Sequence, residues 1–251
     1  MTNAIDKAFM ILEKIASTEL PALPPAQIAD ELKLNRATCS RILKQLLDMG
    51  YVIKVSRRQG YAAGPRLRTM GNICNYSSQL LKYAIPLVDR CAMELQSSVL
   101  ISQLCNGRRY VIYHRNCDPE QNITITYPCY DDIFVTATGL LLTAYCSKSE
   151  RKRCFELQKK YGGIFMDDFS SFEKLNTELD RIRQQGHVEM VRAAQCIYAY
   201  PIKCNDQCDT VIGMSILRSR YTAALNAKIC RMLEAAVQEL SHSSEMKFII
   251  G

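Results

Sequence analysis

Apolar residues recur every three or four positions along the first fifty residues of the chain, which is the period of an amphipathic helix. The pattern predicts a helix over residues 4–16, a short helix that begins at residue 25 and a third helix over residues 36–49. Two apolar runs, 51–55 and 61–63, then predict short strands. The positions that we expect to face the core are Ile5, Phe9, Leu12 and Ile15 in the first helix, Ile28, Ala29 and Leu32 in the second, and Cys39, Ile42, Leu43 and Leu46 in the third.

The residues between these elements carry capping and turn signals. Asn35 is a favoured N-cap for the third helix, because its side-chain oxygen can accept hydrogen bonds from the free amides of the first turn. Gly50 is expected to end that helix, and residues 57–60 are expected to form the turn between the two strands. A helix, a tight turn, a second helix and a basic hairpin make a winged helix-turn-helix, which places its second helix in the major groove of DNA.

The polar face of the third helix predicts how DNA would be read. Its N-terminal residues would reach base edges, where an arginine can bind guanine through two hydrogen bonds. The alternative is an amphipathic helix with a solvated basic face, and the basic hairpin that follows argues against it. The predicted DNA-contacting residues are Arg36, Ala37, Thr38, Ser40 and Arg41 at the helix start, Lys44 further along at a phosphate, and Arg57 and Arg58 at the tip of the wing.

The rest of the chain mixes helical and strand patterns. Residues 65–83 predict a linker helix, and a separate helix is predicted over 85–96 with Pro86 early in it. Asn106-Gly107 is a hairpin signal between two apolar runs. Strands flanked by helices on one side would make this an α+β domain. The predicted strands are 99–104, 109–114, 122–127, 196–203 and 210–217, and the predicted helices are 138–146, 150–160, 172–185 and 223–241.

Charge is distributed unevenly along the chain, whose formal net charge is +7. Residues 1–70 contain 11 Lys and Arg against 6 Asp and Glu, so +5 of that charge lies with the helix-turn-helix pattern. A basic domain is the expected electrostatic footprint of a nucleic-acid-binding protein. We therefore expect double-stranded operator DNA to be a partner.

The chain has 12 cysteines, and their redox state depends on the compartment in which the protein works. Asp6 and Lys7 interrupt the N-terminus before an apolar run forms, which predicts no signal peptide, and no stretch is apolar enough to span a membrane. We therefore expect a cytoplasmic chain in which most cysteines are small core residues. Cys204 and Cys208 are spaced like a metal or redox pair, but a metal would need two further ligands. No cofactor and no metal site are predicted.

The motifs of the first seventy residues resemble a known family. AIDKAFMILEKIA, IADELKLNRATCSRILKQLLDMGYV and GYAAGPRLRTMG are similar to the opening helix, the helix-turn-helix and the wing exit of the IclR family of bacterial transcription factors. The family usually has Tyr-Arg-Leu-Gly at the wing exit, where this chain has Tyr-Ala-Ala-Gly. The resemblance implies a transcriptional regulator, which we expect to be a repressor and not an enzyme. The apolar stripe of the linker helix and the symmetric sites typical of helix-turn-helix proteins predict a homodimer or homotetramer.

The second half of the chain resembles the GAF-like effector-binding domain of the same family. FVTATGLLL is similar to its loop-into-helix motif, although Leu140 stands where a Lys or Arg is usual. AYPI and IGMSI are similar to two of its strands. Free amides and threonine hydroxyls at a helix start can bind a carboxylate, with ordinary N-capping as the alternative. The resemblance implies a pocket for a small carboxylate metabolite lined by Ile123, Thr136, Thr138, Gly139, Ile197 and Ser215.

These observations predict one architecture and two candidate functions. The architecture is a winged helix-turn-helix domain over residues 1–66, a linker helix over 67–83 and a GAF-like effector-binding and oligomerisation domain over 84–251. The first function is a DNA-binding regulator controlled by a small molecule. The second is a cysteine-based redox-responsive regulator or an enzyme, which fast-reacting thiols of low pKa would support.

Overall fold

The computed structural model describes residues 3–56, 60–73, 75–121, 123, 125, 129–166, 169, 171–204 and 207–242. The chain divides into two units, Met1–Ser78 and Gln79–Gly251. The α+β class predicted from the sequence is confirmed, with a helix-turn-helix in the first unit and a helix-and-sheet architecture in the second.

The first unit contains the predicted winged helix-turn-helix. Its elements are α1 (Ala4–Ala16), α2 (Pro25–Glu31), α3 (Arg36–Asp48), β1 (Val52–Ser56), β2 (Gly60–Ala63) and α4 (Pro65–Ile73). The core face of α3 is confirmed, because Cys39, Ile42, Leu43 and Leu46 are all buried. The core face of α1 was predicted only in part. Ile11, Leu12 and Ile15 are buried, but Ile5 and Phe9 remain 66% and 60% exposed, since none of the elements described in this unit covers them.

The wing is held to the helices by a third extended segment. Leu23 exchanges two backbone hydrogen bonds with Tyr61, at N···O distances of 2.8 and 2.9 Å. The neighbouring Gly60 has φ +94°. A Cβ at Gly60 would lie 2.1 Å from the carbonyl oxygen of Leu23, so no other residue fits there. Arg57 and Arg58, which were predicted at the tip of the wing, lie outside the described residues.

One predicted helix boundary is wrong. The sequence predicted a linker helix to residue 83 and a separate helix from 85, but α5 runs without a break from Asn75 to Leu95 and contains Pro86. Proline removes one backbone hydrogen bond from a helix interior. Pro86 and Lys82, whose carbonyl loses that bond, are both exposed, so water can satisfy the carbonyl. The buried face on either side of Pro86, which includes Ala84 and Leu87, keeps the helix continuous.

The second unit is built on one antiparallel sheet in the strand order β5-β4-β3-β8-β7-β6. The predicted hairpin is confirmed: Asn106 and Gly107, at φ 50° and 73°, connect β3 and β4. Two strands differ from the prediction. In the predicted strand 122–127, residues 123 and 125 are not in a strand, and the other four residues lie outside the described part of the chain. Residues 188–191 form an edge strand that the sequence did not predict. The strands are β3 (Ser98–Cys105), β4 (Arg108–Asn116), β5 (Cys129–Tyr130), β6 (Val188–Val191), β7 (Gln195–Cys204) and β8 (Gln207–Leu217).

Helices cover both faces of this sheet, and not one face as the sequence had suggested. The remaining helices are α6 (Ala137–Tyr145), α7 (Lys148–Tyr161), α8 (Phe172–Gln185) and α9 (Ala223–His242), with a 3₁₀ turn at Arg218–Arg220. Helices α5 and α9 share one apolar core with the sheet, and α6, α7 and α8 share the other. Alternate residues of β7 show this division, because Tyr198 belongs to the first core and Ala199 to the second.

Candidate DNA-binding helix and effector site

The start of α3 presents a capped, polar face. The side-chain oxygen of Asn35 accepts hydrogen bonds from the amides of Ala37 and Thr38, at 2.9 and 3.3 Å, which confirms the predicted N-cap. This cap fixes the first turn, from which the predicted base-reading side chains project. Most of the predicted contact residues on α3 are exposed, and Thr38 is half-buried; the exposed ones are Arg36, Ala37, Ser40, Arg41 and Lys44.

Arg36 differs from the other basic residues of α3 because it has a partner in α2. Its guanidinium binds the carboxylate of Asp30, with N···O distances of 3.1 and 3.3 Å. Both side chains are well exposed, at 72% and 60%. An exposed ion pair contributes only about 0–1 kcal/mol, so DNA can replace Asp30 as the partner of Arg36.

The predicted effector residues meet on the face of the sheet that α6 covers. A Cβ at Gly213 would lie 2.4 Å from Cγ2 of Thr138, so the first turn of α6 rests directly on β8, and a larger residue at 213 would displace the Thr138 side chain. Ser215 lies two residues further along β8 on the same face. Ile197 is the cross-strand neighbour of Ser215. Thr138, Ser215 and Ile197 are therefore brought together.

Thr136 and Gly139 are already engaged with each other. The Thr136 hydroxyl accepts a hydrogen bond from the Gly139 amide at 3.2 Å and donates one to the carbonyl oxygen of Asp132 at 3.1 Å. Gly139 also packs tightly, since a Cβ there would lie 2.4 Å from the backbone of Ile133. Both residues thus build the start of α6, which is the capping alternative considered from the sequence.

The first turn of α6 has hydrogen-bond donors that its N-cap does not use. The amides of a first helical turn have no partner within the helix, and Thr136 satisfies only that of Gly139. Within the described residues, the amides of Ala137 and Thr138 and the Thr138 hydroxyl have no hydrogen-bond partner. These donors lie at the N-terminal end of α6, where the helix dipole favours an anion.

A buried ion pair holds the loop that precedes α6. Arg109 binds both carboxylate oxygens of Asp132, at 2.8 and 2.5 Å, and its side chain is only 8% exposed. A third hydrogen bond joins Arg109 to the hydroxyl of Ser102 at 3.3 Å. Because the carbonyl oxygen of Asp132 also accepts from Thr136, this pair fixes where α6 begins.

Ile123 is the one predicted effector residue that the structure does not connect to the others, and it is half-buried. The segment before it crosses the end of the sheet. Gln121 accepts hydrogen bonds from Gln195 at 2.8 Å and from Asn116 at 2.7 Å. Ile123 therefore lies two residues beyond a segment that is anchored near Ser215 and Ile197.

Sequence reasoning missed a polar pair on the same face of the sheet. The ring Nε2 of His114 lies 2.8 Å from the hydroxyl oxygen of Ser98. Ser98 is the cross-strand neighbour of Ser215, and His114 is that of Leu100, which touches the Gly213 position. Burial lowers the pKa of His114 below its usual value, so the imidazole is neutral at pH 7. Simple alternation from Arg109 would have assigned His114 to the opposite face, because a bulge between Val111 and Tyr113 shifts the register.

Five of the described cysteines are poorly suited to redox chemistry. Burial raises the pKa of Cys146 and Cys208 to about 12 and that of Cys154 to about 11. It also raises the pKa of Cys39 and Cys91, so these five thiols are protonated at neutral pH and are poor nucleophiles. The ten cysteines whose side chains are described form no disulfide among themselves.

Two further searches concern metal ions and membranes. Among the described residues, no group of three or more His, Cys, Asp or Glu side chains is arranged to hold a metal ion. The Cys204 side chain is outside that set. No helix in the described part of the chain is both long and apolar enough to cross a membrane.

Two protein-family models match the chain, one in each unit. The model of the IclR helix-turn-helix domain matches residues 4–56, and the model of the C-terminal domain of bacterial IclR transcriptional regulators matches residues 76–242. The chain belongs to the IclR family. It is a transcriptional regulator with a DNA-binding domain and an effector-binding domain, and not an enzyme. No curated protein matches the chain.

Solved structures share the fold at low sequence identity. An IclR regulator from Alicyclobacillus acidocaldarius is 16% identical with full coverage of both chains and a TM-score of 0.76. An IclR homologue from Microbacterium hydrocarbonoxydans, in complex with 4-hydroxybenzoate, is 13% identical over 95% of this chain and 98% of its own, with a TM-score of 0.77. IclR from Thermotoga maritima is 16% identical over 95% and 97%, with a TM-score of 0.66.

The cap of α6 gives a first prediction. Replacement of Thr136 by Ala removes the acceptor of the Gly139 amide and should lower the free energy of unfolding by about 1 kcal/mol. Thr136→Ser keeps the oxygen and is the matched control. Urea denaturation followed by circular dichroism measures both. An alanine variant as stable as the parent would show that this hydrogen bond does not stabilise the helix.

Proposed function

We propose that the chain is a sequence-specific repressor, whose residues 1–66 bind operator DNA and whose residues 84–251, a GAF-like domain behind a linker helix at 67–83, bind a small carboxylate metabolite. The observation that carries the proposal is the capped, exposed start of α3 within a winged helix-turn-helix. Ligand binding would favour one of two conformational states and so alter the affinity for DNA. A protein that acts on the bacterial chromosome works in the cytoplasm.

The proposed DNA contacts divide into two kinds. Arg36, Ala37, Thr38, Ser40 and Arg41 would contact base edges from the first two turns of α3. Lys44 lies about one turn further along the helix than Arg41 and would bind phosphate, which adds affinity without sequence preference. Arg57 and Arg58 would extend the phosphate contacts from the wing. The exposure of Arg41 and Lys44 supports both roles, because neither side chain must leave a buried site.

Arg41 and Lys44 should respond differently to substitution. Arg41→Ala should cost about 1–3 kcal/mol of discrimination between the operator and random duplex, because a bidentate base contact is lost. Lys44→Ala should weaken binding to both duplexes and lower the slope of log affinity against log salt by about one. Fluorescence anisotropy on an operator selected from a random library measures all of these quantities.

Lys228→Ala, an exposed charge on α9 in the second unit, is the matched control for the loss of one positive charge. It should leave discrimination and affinity near the parent values. An equal loss on operator and random DNA for Arg41→Ala would refute its base-reading role.

The proposed effector is a small molecule with a carboxylate at the start of α6. Support comes from the unpaired amides and hydroxyl at Thr138, and from the half-buried Ser215 and Ile197 below it. Ile123 would add an apolar wall, while Thr136 and Gly139 would act by shaping the helix start. The Microbacterium homologue in complex with 4-hydroxybenzoate makes an aromatic hydroxy acid a reasonable first probe.

Two hydroxyl deletions test the effector site. Thr138→Val keeps the methyl group that packs on Gly213, and Ser215→Ala removes one hydroxyl from the sheet. Each should reduce ligand affinity by about 1–3 kcal/mol, since a buried ligand oxygen loses its partner. The ligand is first found in a thermal-shift panel of small organic acids, and calorimetry then gives its affinity.

Thr177→Val, at an exposed position on α8, is the control and should bind like the parent. DNA affinity without ligand should stay unchanged in all three variants. Undiminished ligand affinity in both Thr138→Val and Ser215→Ala would place the effector elsewhere.

We propose further that the chain forms a homodimer or homotetramer. Helix-turn-helix proteins commonly bind two half-sites through a symmetric assembly. Ile5 and Phe9 support self-association, because two large apolar side chains four residues apart on α1 leave an uncovered apolar face.

Phe9→Glu should shift the assembly towards smaller species, because a carboxylate in a buried apolar interface has no partner. Light scattering coupled to gel filtration measures the mass at micromolar concentration. Leu20→Glu, at a 53% exposed position outside α1, is the control and should leave the mass unchanged. A parent protein that is monomeric even with DNA present would contradict the proposal.

A further inference from the structure

A row of uncharged polar side chains crosses the sheet beside the proposed effector site. The antiparallel register places Ser98 directly between Asn116 on β4 and Ser215 on β8. His114 reaches this row through its 2.8 Å contact with the Ser98 hydroxyl. All four residues lie on the face that α6 covers, because cross-strand neighbours share a face and residues two apart return to it.

The positions of these residues set a distance from Thr138. Gly213, under Thr138, is separated from His114 by the intervening strand β3, which amounts to about 10 Å at two strand spacings. Ser215 lies about 7 Å from Gly213, at two residues along the strand. A molecule with one end at the start of α6 and the other at the polar row would therefore be about the length of a para-substituted benzene ring.

The wall at the polar row offers hydrogen bonds but no charge. Neutral His114 and the Ser98 hydroxyl can each donate or accept, depending on tautomer and rotamer. Two charged groups around this face of the sheet already have partners. Arg109 is engaged by Asp132, and the buried carboxylate of Asp118 is paired with Arg220 at 3.4 Å. An ionised group that entered this wall would lose water without gaining a counter-ion.

We propose that His114 and Ser98 determine effector specificity by binding an uncharged hydroxyl group at the end of the ligand opposite its carboxylate. The ligand class is then a hydroxy acid about one aromatic ring long, and a second carboxylate at that end is disfavoured. This inference rests on the proposed effector site at Thr138, which binds the carboxylate, and it concerns the opposite end of the ligand.

Five probes separate the relevant chemistries. Benzoate has one polar end, 4-hydroxybenzoate adds a hydroxyl and terephthalate adds a second carboxylate, all on the same ring. Hexanoate and 6-hydroxyhexanoate form an aliphatic pair of similar length. Calorimetry on the full chain should give at least tenfold tighter binding for 4-hydroxybenzoate than for benzoate if the ligand is aromatic, or for 6-hydroxyhexanoate than for hexanoate if it is aliphatic. Terephthalate should bind no better than benzoate.

The variants Ser98→Ala and His114→Gln identify the source of that preference. In each, the hydroxylated probe should lose about tenfold in affinity, as expected when a hydrogen-bond partner is removed. The unhydroxylated probe should bind as it does to the parent. His187→Gln is the matched control, because His187 is stacked on Tyr200 away from the polar row and should not affect the preference. Thermal melting of each variant confirms that it is folded.

The outcomes distinguish this inference from the proposal beneath it. If a hydroxyl preference in the parent survives in both Ser98→Ala and His114→Gln, or if terephthalate binds as tightly as 4-hydroxybenzoate, the specificity role is refuted. A loss of affinity in Thr138→Val would leave the carboxylate site standing in that case. If none of the probes binds the parent protein, the ligand class inferred here is refuted, and the carboxylate site is then decided by the Thr138→Val and Ser215→Ala variants with the acid found in the thermal-shift panel.

Discussion

The second unit depends on the close approach of α6 to the sheet at Gly213. The methyl group of Thr138 occupies the space that a side chain at position 213 would need, so helix and strand are closer than ordinary packing allows. The Arg109–Asp132 pair and the Thr136 cap hold the start of α6 at that point from the other side. Gly213 thus allows the first turn of α6 to lie directly on β8, which is the arrangement that the proposed effector site requires.

Elements with strong local signals could be predicted from the sequence. Helix α3 has an apolar stripe, an N-cap at Asn35 and a glycine after its last turn. The hairpin between β3 and β4 has the turn sequence Asn106-Gly107. Both elements are therefore indicated by residues that are close in sequence. The misses have non-local causes. The edge strand β6 is short and forms only by pairing with β7, and α5 passes Pro86 because tertiary packing outweighs one lost hydrogen bond.

The site was harder to predict than the fold, because it is assembled by strand register. Thr136, Thr138 and Gly139 are close in sequence, but the sequence does not say which of their groups cap the helix and which stay available to a ligand. In the structure the Thr136 hydroxyl accepts the hydrogen bond of the Gly139 amide, so these two groups are used by the cap. Ser98 and His114 are separated by 16 residues, and the bulge between Ile101 and Ser102 shifts their alignment. A period of two residues indicates a face but not the neighbour across the strand.

In the proposed DNA complex, the exposed pair between Arg36 and Asp30 would make binding at this residue an exchange of partners. In the free protein the guanidinium already has a carboxylate partner, so a DNA contact would replace one ion pair with another and return Asp30 to water. The exchange would cost little, because an exposed ion pair contributes only about 0–1 kcal/mol. The net gain at Arg36 would then be smaller than the DNA contact alone, by no more than that amount.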